Sequence, residues 1–276
     1  HPAWLVPEIG KGFISYQRSL PAEVDICYAT GVAMKTSTTS PKFIRYPGDG
    51  AKLISANDMS GFTFRGRFDT QQEALSLGRD TTEKAHAALK WLIRKQGYRN
   101  GDQVVLAFGT GPEKLPPVTL DTIATVEDDS LNSVVEFPQA LLFSTKESIS
   151  NMLSRAIRSL SGRLPDATDA VVMGLDSATP GRMAIFYYRE MGAKDYLARI
   201  EEWHTTCTWR HTYRWLQDGF DDHGKAKGKY IAFEGAPALL DIVLAAYGEK
   251  VSDKLKKSAL ERLIPCVVDR ARLPRD

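Results

Sequence analysis

The sequence predicts an α+β fold in which antiparallel strands and hairpins are combined with several amphipathic helices. Two segments carry apolar residues at helical spacing behind capping residues, one starting at Asp80 and the other at Ser144. The Pro180-Gly181 pair lies between two apolar runs, and it predicts a β-hairpin because Pro and Gly suit the central positions of a type II turn. Helical and hairpin patterns in one chain favour the α+β class, with two subregions.

In the first half of the chain, a strand, a helix and a second strand are predicted in that order. Residues 62–68 alternate aromatic and polar side chains, the pattern of a strand with one buried face. The capping residues at Asp80 open a helix whose apolar stripe ends before Gly97, and residues 104–108 form a buried strand. The stretch 109–138 holds Gly-Pro and Pro-Pro pairs and an acidic run, so we interpret it as an irregular linker or surface excursion.

In the second half, the predicted hairpin lies between helices. The helix that opens at Ser144 closes at Gly162, and the hairpin strands are predicted at 170–175 and 183–188. The downstream elements are a helical stripe at 196–203, an aromatic segment at helical spacing at 209–215, a mobile basic loop at 218–229, a helix from Pro237 to Gly248, and a helix at 253–264 that Pro265 stops. We expect three regions: a mixed α/β region at 1–110, an irregular linker or excursion at 111–143, and a hairpin plus helical region at 144–276.

Composition narrows the class of protein. The chain has 276 residues, of which 43% are hydrophobic and 25% charged, so it can bury a substantial core. No apolar run approaches the roughly 20 residues needed to span a bilayer, and the N-terminus does not resemble a signal peptide. Three widely separated cysteines argue against a disulfide framework, so we expect a cytoplasmic protein with no membrane partner. The first residue is not Met, which suggests a processed or excised piece.

The most informative local feature is a pair of arginines in the strand at 62–68. Arg65 and Arg67 lie on the face opposite the aromatic side chains, about 6.6 Å apart along the strand. Each guanidinium can fork onto a phosphate or a guanine edge. Gly66 between them allows another backbone to approach closely.

The basic residues near this strand predict a nucleic-acid interface. The net charge of +2 is too small to prove such a partner, so the case depends on a local cluster. Its members are Lys42, Arg45, Lys52, Arg65 and Arg67. Phosphate contacts and ion pairs with acidic side chains are equally open explanations for these cations.

Two turn residues and one aromatic segment are further candidates. The Asn57 amide has the donors and acceptors to read a base edge, although turn residues more often hold their own turn together. Arg182 in the hairpin turn is a weaker candidate, since it can brace the turn. Trp209 to Trp215 interleaves aromatic and basic residues, but helical spacing favours core anchors over base-stacking platforms.

No catalytic, metal or cofactor site is predicted. The spacing of His204, Cys207, His211 and His223 lacks the paired Cys-x-x-Cys of strong zinc sites. The acids considered as nuclease ligands do not cluster in sequence; they are Asp58, Asp176 and Glu190. Neither a phosphate-binding loop nor a Gly-x-Ser-x-Gly motif occurs.

Several unusual strings resemble one family over nearly the whole chain. They are Leu53-Ile54-Ser55-Ala56-Asn57-Asp58, Phe62-Thr63-Phe64-Arg65-Gly66-Arg67-Phe68, Lys84-Ala85-His86, Trp91-Leu92-Ile93, Leu175-Asp176-Ser177-Ala178-Thr179-Pro180-Gly181-Arg182-Met183, Tyr187-Tyr188-Arg189-Glu190, Trp203-His204, Gly235-Ala236-Pro237, Ala246-Tyr247-Gly248 and Glu261-Arg262-Leu263-Ile264-Pro265-Cys266. In this order they resemble the large subunit of the type I-C CRISPR effector complex, Cascade. Members of that family are much longer, so the resemblance implies a central fragment without the N-terminal region and the C-terminal helical region.

The resemblance implies a non-enzymatic role in RNA-guided DNA recognition. The expected partners are crRNA, target double-stranded DNA, the other Cascade subunits and a helicase-nuclease that is recruited in trans. The subunit would support recognition of the protospacer-adjacent motif and R-loop formation, while base pairing reads the sequence. Lys52, Arg65 and Arg67 would contact phosphates and Asn57 would read a base. Two alternatives stay open, a metal-dependent nuclease and a purely protein–protein scaffold.

Overall fold

A computed structural model describes residues 5–37, 39–56, 68–131, 146–179, 181–220 and 223–274 of the chain. It confirms the predicted α+β class. The helices are α1 (Pro7–Ser19), α2 (Gln71–Ala74), α3 (Arg79–Gln96), α4 (Thr122–Glu127), α5 (Lys146–Arg163), α6 (Ala193–Thr206), α7 (Leu239–Tyr247) and α8 (Asp253–Val268). The strands are β1 (Val24–Ile26), β2 (Ala33–Lys35), β3 (Tyr98–Asn100), β4 (Gln103–Gly109), β5 (Asp169–Thr179), β6 (Arg182–Gly192), β7 (Trp209–Phe220) and β8 (Ala226–Gly235).

The described strands form three sheets. β1 pairs antiparallel with β2, and β7 pairs antiparallel with β8. The largest sheet has four strands in the order β3-β4-β5-β6, with antiparallel pairing of β3 to β4 and of β4 to β5. Residues 103–107 of β4 are all buried, which agrees with the apolar run predicted there.

The chain packs into two compact units. The first comprises residues 1–90 and 180–182, and the second comprises residues 91–179 and 183–276. These units are defined by packing alone, and the division into regions 1–110, 111–143 and 144–276 stays a prediction about domains.

In the first unit, polar contacts join α1 to the segments that follow it. The Lys35 ammonium donates to the carbonyl oxygens of Arg18 at 2.7 Å and of Leu20 at 2.9 Å. Both carbonyls lie at the C-terminal end of α1, where a cation is favourable because the last carbonyls have no partner within the helix. Arg18 also pairs with Asp80 at the start of α3, with 2.6 Å between Nη2 and Oδ2.

The second unit holds the larger hydrophobic core. Helices α5 and α6 contribute their apolar stripes, including Leu153 and Leu160 from α5 and Tyr196 and Ile200 from α6, all of them fully buried. The strands contribute Ala107 from β4 and Val172 from β5 to the same cluster. The stripes read from the sequence at helical spacing are therefore the faces that pack.

Four details of the chain differ from expectation. α8 continues to Val268, so the prediction that Pro265 stops the helix is wrong. Residues 209–215 lie in β7 rather than in a helix. The predicted mobile loop at 218–229 is largely strand, since β7 reaches Phe220 and β8 begins at Ala226; residues 221–222 lie outside the described part.

The fourth detail concerns the stretch that the sequence assigned to an irregular linker or surface excursion. Leu115, Val118, Ile123 and Val126 are all about 1–2% exposed and belong to the buried residues of the protein. A short helix forms there because the Asp121 carboxylate accepts a hydrogen bond of 2.7 Å from the Ala124 N–H. Most of residues 115–126 are thus buried, whereas Glu127 and Asp129 of the acidic run are exposed.

Candidate nucleic-acid interface

The described members of the predicted cationic cluster, Lys42, Arg45 and Lys52, lie in or directly beside a closed loop at residues 43–51 in the first unit. The Phe43 N–H donates to the Asp49 carbonyl oxygen at 2.8 Å, and the Asp49 N–H donates to the Tyr46 carbonyl oxygen at 3.1 Å. These backbone bonds bring the two ends of the loop together. The loop therefore has a defined shape although it contains neither helix nor strand.

A buried ion pair fixes the interior of this loop. Arg45 donates from Nε to Asp49 Oδ2 and from Nη2 to Oδ1, both at 2.9 Å. The Asp49 carboxylate also accepts from the backbone N–H of Arg45 at 3.3 Å and of Ala51 at 3.0 Å. The two side chains are 1% and 2% exposed, so one carboxylate organises both the loop and the start of the next segment.

The electrostatics of the loop follow from that pair. Burial alone would raise the pKa of Asp49, but hydrogen bonds from Arg45 and from the Ala51 N–H, together with the Arg45 charge, leave the pKa below its ordinary value. Asp49 is therefore ionised at neutral pH and its charge is neutralised by Arg45. Because its charge is neutralised, Asp49 does not repel an anion that approaches Lys42 or Lys52.

The loop brings two of the predicted site residues together. The Lys52 N–H donates to the Gly181 carbonyl oxygen at 3.1 Å, and Lys52 and Arg182 form an isolated parallel β-bridge. Gly181 has φ of +86°, as the second central position of the predicted type II turn requires. The sequence predicted a cationic cluster drawn from residues 42–67 alone. The structure instead places Arg182, from the hairpin turn, beside Lys52.

The predicted site residues fall into three groups. Lys42 is exposed, Lys52 is half-buried and Arg182 is exposed, so these three side chains reach the surface. Arg45 is buried, and its guanidinium is used inside the loop rather than presented to a ligand. Asn57, Arg65 and Arg67 lie outside the described residues.

One exposed side chain of the loop was missed by sequence reasoning. Phe43 is 54% exposed and has φ of +58°, in the left-handed region that bulky residues rarely adopt. The sequence Lys-Phe-Ile-Arg-Tyr gives no sign of this, because its residue types are those of an ordinary strand.

The carboxylates considered as nuclease ligands have local partners where the structure describes them. Asp176 Oδ1 accepts from the Lys257 ammonium at 3.0 Å, and Glu190 accepts from the Tyr188 hydroxyl at 3.1 Å. Asp58 lies outside the described residues. Within the described ranges, no group of three or more His, Cys, Asp and Glu side chains is placed to hold a metal ion.

Two of the histidines considered as zinc ligands have structural partners in the second unit. His204 lies between two threonines, with Nδ1 3.0 Å from Thr122 Oγ1 and Nε2 3.2 Å from Thr125 Oγ1. Burial lowers the pKa of His204 to about 3, so the ring is neutral. His211 Nε2 lies 2.8 Å from the Gly235 carbonyl oxygen.

The aromatic segment that sequence reasoning assigned to core anchors is exposed instead. Trp209 and Trp215 on β7 are 50% and 41% exposed. Trp215 stands opposite Tyr230 of β8, which is 72% exposed. The segment is a strand rather than a helix, and its pairing with β8 shifts in register between His211 and Arg214. Both tryptophans are therefore exposed, while His211 between them is buried.

Comparison with known families gives a match over nearly the whole chain. The family model Cas_Csd1, described as a CRISPR-associated protein, matches residues 2–276. Among curated proteins, no sequence match was found. Of the helices in the described ranges, none combines the length and apolar character needed to cross a membrane.

Proposed function

Because this chain belongs to the Cas_Csd1 family of CRISPR-associated proteins, we propose that it acts as the large subunit of a type I-C Cascade complex. In this role it is non-catalytic and contacts target DNA and crRNA. It supports recognition of the protospacer-adjacent motif, R-loop formation and recruitment of a helicase-nuclease. Its protein partners are the other Cascade subunits.

The observation that carries the DNA-binding part of the proposal is the surface formed by Lys42, Lys52 and Arg182. The backbone bond from Lys52 to Gly181 brings two of these residues side by side from distant parts of the sequence. Asp49, the acid within the same loop, is already neutralised by Arg45. These cations project from a fixed backbone, and the nearby acid is already paired. Such an arrangement favours binding to the phosphates of a nucleic acid.

Asn57, Arg65 and Arg67 extend this proposal. They follow Lys52 within fifteen residues of the sequence. We propose Arg65 and Arg67 as further phosphate contacts and Asn57 as a base reader. These three assignments depend on residue chemistry and sequence position.

A salt titration of the assembled complex tests the phosphate contacts. The variant Lys42→Ala/Lys52→Ala/Arg182→Ala should bind target duplex more weakly, and the slope of log K against log salt should fall in magnitude by about 0.9 per lost contact. The matched control is Lys11→Ala/Lys250→Ala/Lys254→Ala, which removes the same charge from three exposed lysines. Equal slopes in the two variants would overturn the assignment.

Two other outcomes separate the alternatives. If the first variant does not assemble with the other subunits, as judged by size-exclusion chromatography, the cations serve a protein–protein scaffold. If the pure protein cuts DNA or RNA with magnesium or manganese, and Asp176→Asn abolishes the cutting, the chain is a nuclease. The proposed role predicts assembly of the variant and no such cutting.

A further inference from the structure

Phe43 occupies a backbone conformation that its own side chain disfavours. Its φ of +58° lies in the left-handed region, where Gly or Asn fits and a bulky residue is strained. The ring does not recover this strain by burial, because the residue is 54% exposed. Neither backbone preference nor core packing therefore explains an aromatic residue at this position.

The surrounding loop holds Phe43 in place. Its N–H is bonded to the Asp49 carbonyl oxygen at 2.8 Å, and the next two residues, Ile44 and Arg45, are both 2% exposed. Arg45 is bonded in turn to the Asp49 carboxylate. The aromatic ring is thus presented from a fixed backbone rather than from a flexible loop, which reduces the conformational entropy lost when it binds.

The charged residues near Phe43 indicate which kind of ligand its ring would bind. Lys42 precedes it and is exposed, and Lys52 lies three residues beyond Asp49, hence within about 11 Å of it along the chain. The ammonium groups of both lysines have no hydrogen-bond or ion-pair partner in the part of the chain that the structure describes. An exposed aromatic ring in the same loop region as two lysines suits single-stranded nucleic acid, because bases stack on aromatic side chains while phosphates contact lysines.

We propose that Phe43 is a base-stacking residue that engages an unstacked base of the DNA strand whose phosphates contact Lys42 and Lys52. This inference rests on the proposed DNA-binding function of the same surface. Bases inside an intact duplex are already stacked on their neighbours, so the ring acts where a base step is opened, as apolar wedges do in other DNA-binding proteins. Loss of one such stacking contact weakens binding roughly 5- to 150-fold.

The decisive variant is Phe43→Gly, because stability and binding should change in opposite directions. Glycine relieves the strain at φ of +58°, so the melting temperature of the protein should stay the same or rise. Binding of the assembled complex to a target duplex with a short unpaired bubble should weaken by the factor given above. The salt slope should stay unchanged, because no charge is removed.

Two further variants control the experiment. Phe43→Trp keeps a stacking ring and should retain binding within a few-fold. Phe13→Ala removes another exposed aromatic ring of the first unit, one that is 62% exposed on α1, and should leave binding unchanged. Equal losses for Phe13→Ala and Phe43→Gly would overturn the proposal.

The remaining outcomes separate this inference from the function on which it rests. If the lysine and arginine variants lower the salt slope but Phe43→Gly binds normally, the surface binds DNA and the stacking role is wrong. If neither set of variants changes binding, both proposals fail. If Phe43→Gly lowers the melting temperature and binding together, the ring is structural and the stacking role is wrong.

Discussion

The Arg45 guanidinium and the Asp49 carboxylate form a bidentate ion pair inside the first unit, with both N–O distances at 2.9 Å. The pair fixes the loop at residues 43–51, which presents Phe43 at the surface directly after the exposed Lys42. A buried ion pair adds little net stability compared with two apolar side chains of similar size, because both charges lose their hydration when the protein folds. Removal of one partner is costly, however, because the other charge is left buried.

Arg45→Gln should therefore destabilise the protein strongly. The Asp49 carboxylate would keep only its backbone donors, and we expect a loss of roughly 3–5 kcal/mol in the free energy of unfolding. The matched control is Arg18→Gln, which breaks the Arg18–Asp80 pair whose side chains are 60% and 44% exposed. That loss should stay below about 1 kcal/mol. Urea unfolding measures both, and similar losses would contradict the role given to the buried pair.

The buried His204 predicts how stability depends on pH. Burial lowers its pKa to about 3 in the folded protein, whereas an unfolded histidine has a pKa of about 6.5. Below pH 6.5 the unfolded state binds the proton, so stability is fully present above that pH and is lost as the pH falls towards 3. The expected loss between pH 7.5 and pH 5 is about 2 kcal/mol.

His204→Gln isolates this effect. The variant changes absolute stability, since the two threonine contacts are altered, but its free energy of unfolding should vary much less between pH 7.5 and pH 5. Urea unfolding at several pH values gives the comparison. An unchanged pH slope in the variant would show that other groups are responsible.

Local chemistry made the regular elements predictable from sequence. Helices α3 and α5 were found from capping residues followed by apolar residues at helical spacing, and the structure places them at Arg79–Gln96 and Lys146–Arg163. Gly181 with φ of +86° fits the predicted hairpin turn. In each case the signal and its structural effect lie within a few residues of each other.

Tertiary packing decided the features that were not predicted. Pro265 cannot donate the helical hydrogen bond, yet the residues around it in α8, among them Leu263, Ile264 and Val267, are buried and hold the helix together. Arg45 is buried in an ion pair with Asp49, and the left-handed Phe43 donates its N–H to the Asp49 carbonyl oxygen in the same loop. The residue types at these positions do not predict these contacts, because the contacts form only once the chain has folded.

Trp203 and Trp215, both in the second unit, should differ sharply in their contribution to the free energy of unfolding. Trp203 on α6 is 5% exposed, so Trp203→Ala should lower the free energy of unfolding by roughly 3–5 kcal/mol. Trp215 on β7 is 41% exposed and stands opposite Tyr230 in the β7–β8 pairing, so Trp215→Ala should cost only the roughly 0.2–1 kcal/mol typical of a cross-strand pair. Thermal unfolding of the two variants provides the measurement. A loss above about 2 kcal/mol for Trp215→Ala would place that ring in the core, contrary to the exposed ribbon.

Gly174 lies on β5 in the four-stranded sheet, where there is no room for a side chain. A Cβ at Gly174 on β5 would lie 2.3–2.8 Å from three ring carbons of Phe186, which packs against the core of the second unit. Gly174→Ala should therefore cost roughly 1–3 kcal/mol, because the ring has to move out of a packed position. A Cβ at Gly162 on α5 would have no atom within 4 Å, so Gly162→Ala should stabilise the protein by about 0.5–1 kcal/mol.

A double-mutant cycle shows whether the clash is the cause. Phe186→Leu removes the ring carbons that the new methyl group would meet, so Gly174→Ala should cost less in that background than in the natural sequence. Urea unfolding of the four proteins gives the coupling free energy. Independent effects of the two substitutions would contradict the clash with the Phe186 ring as the cause.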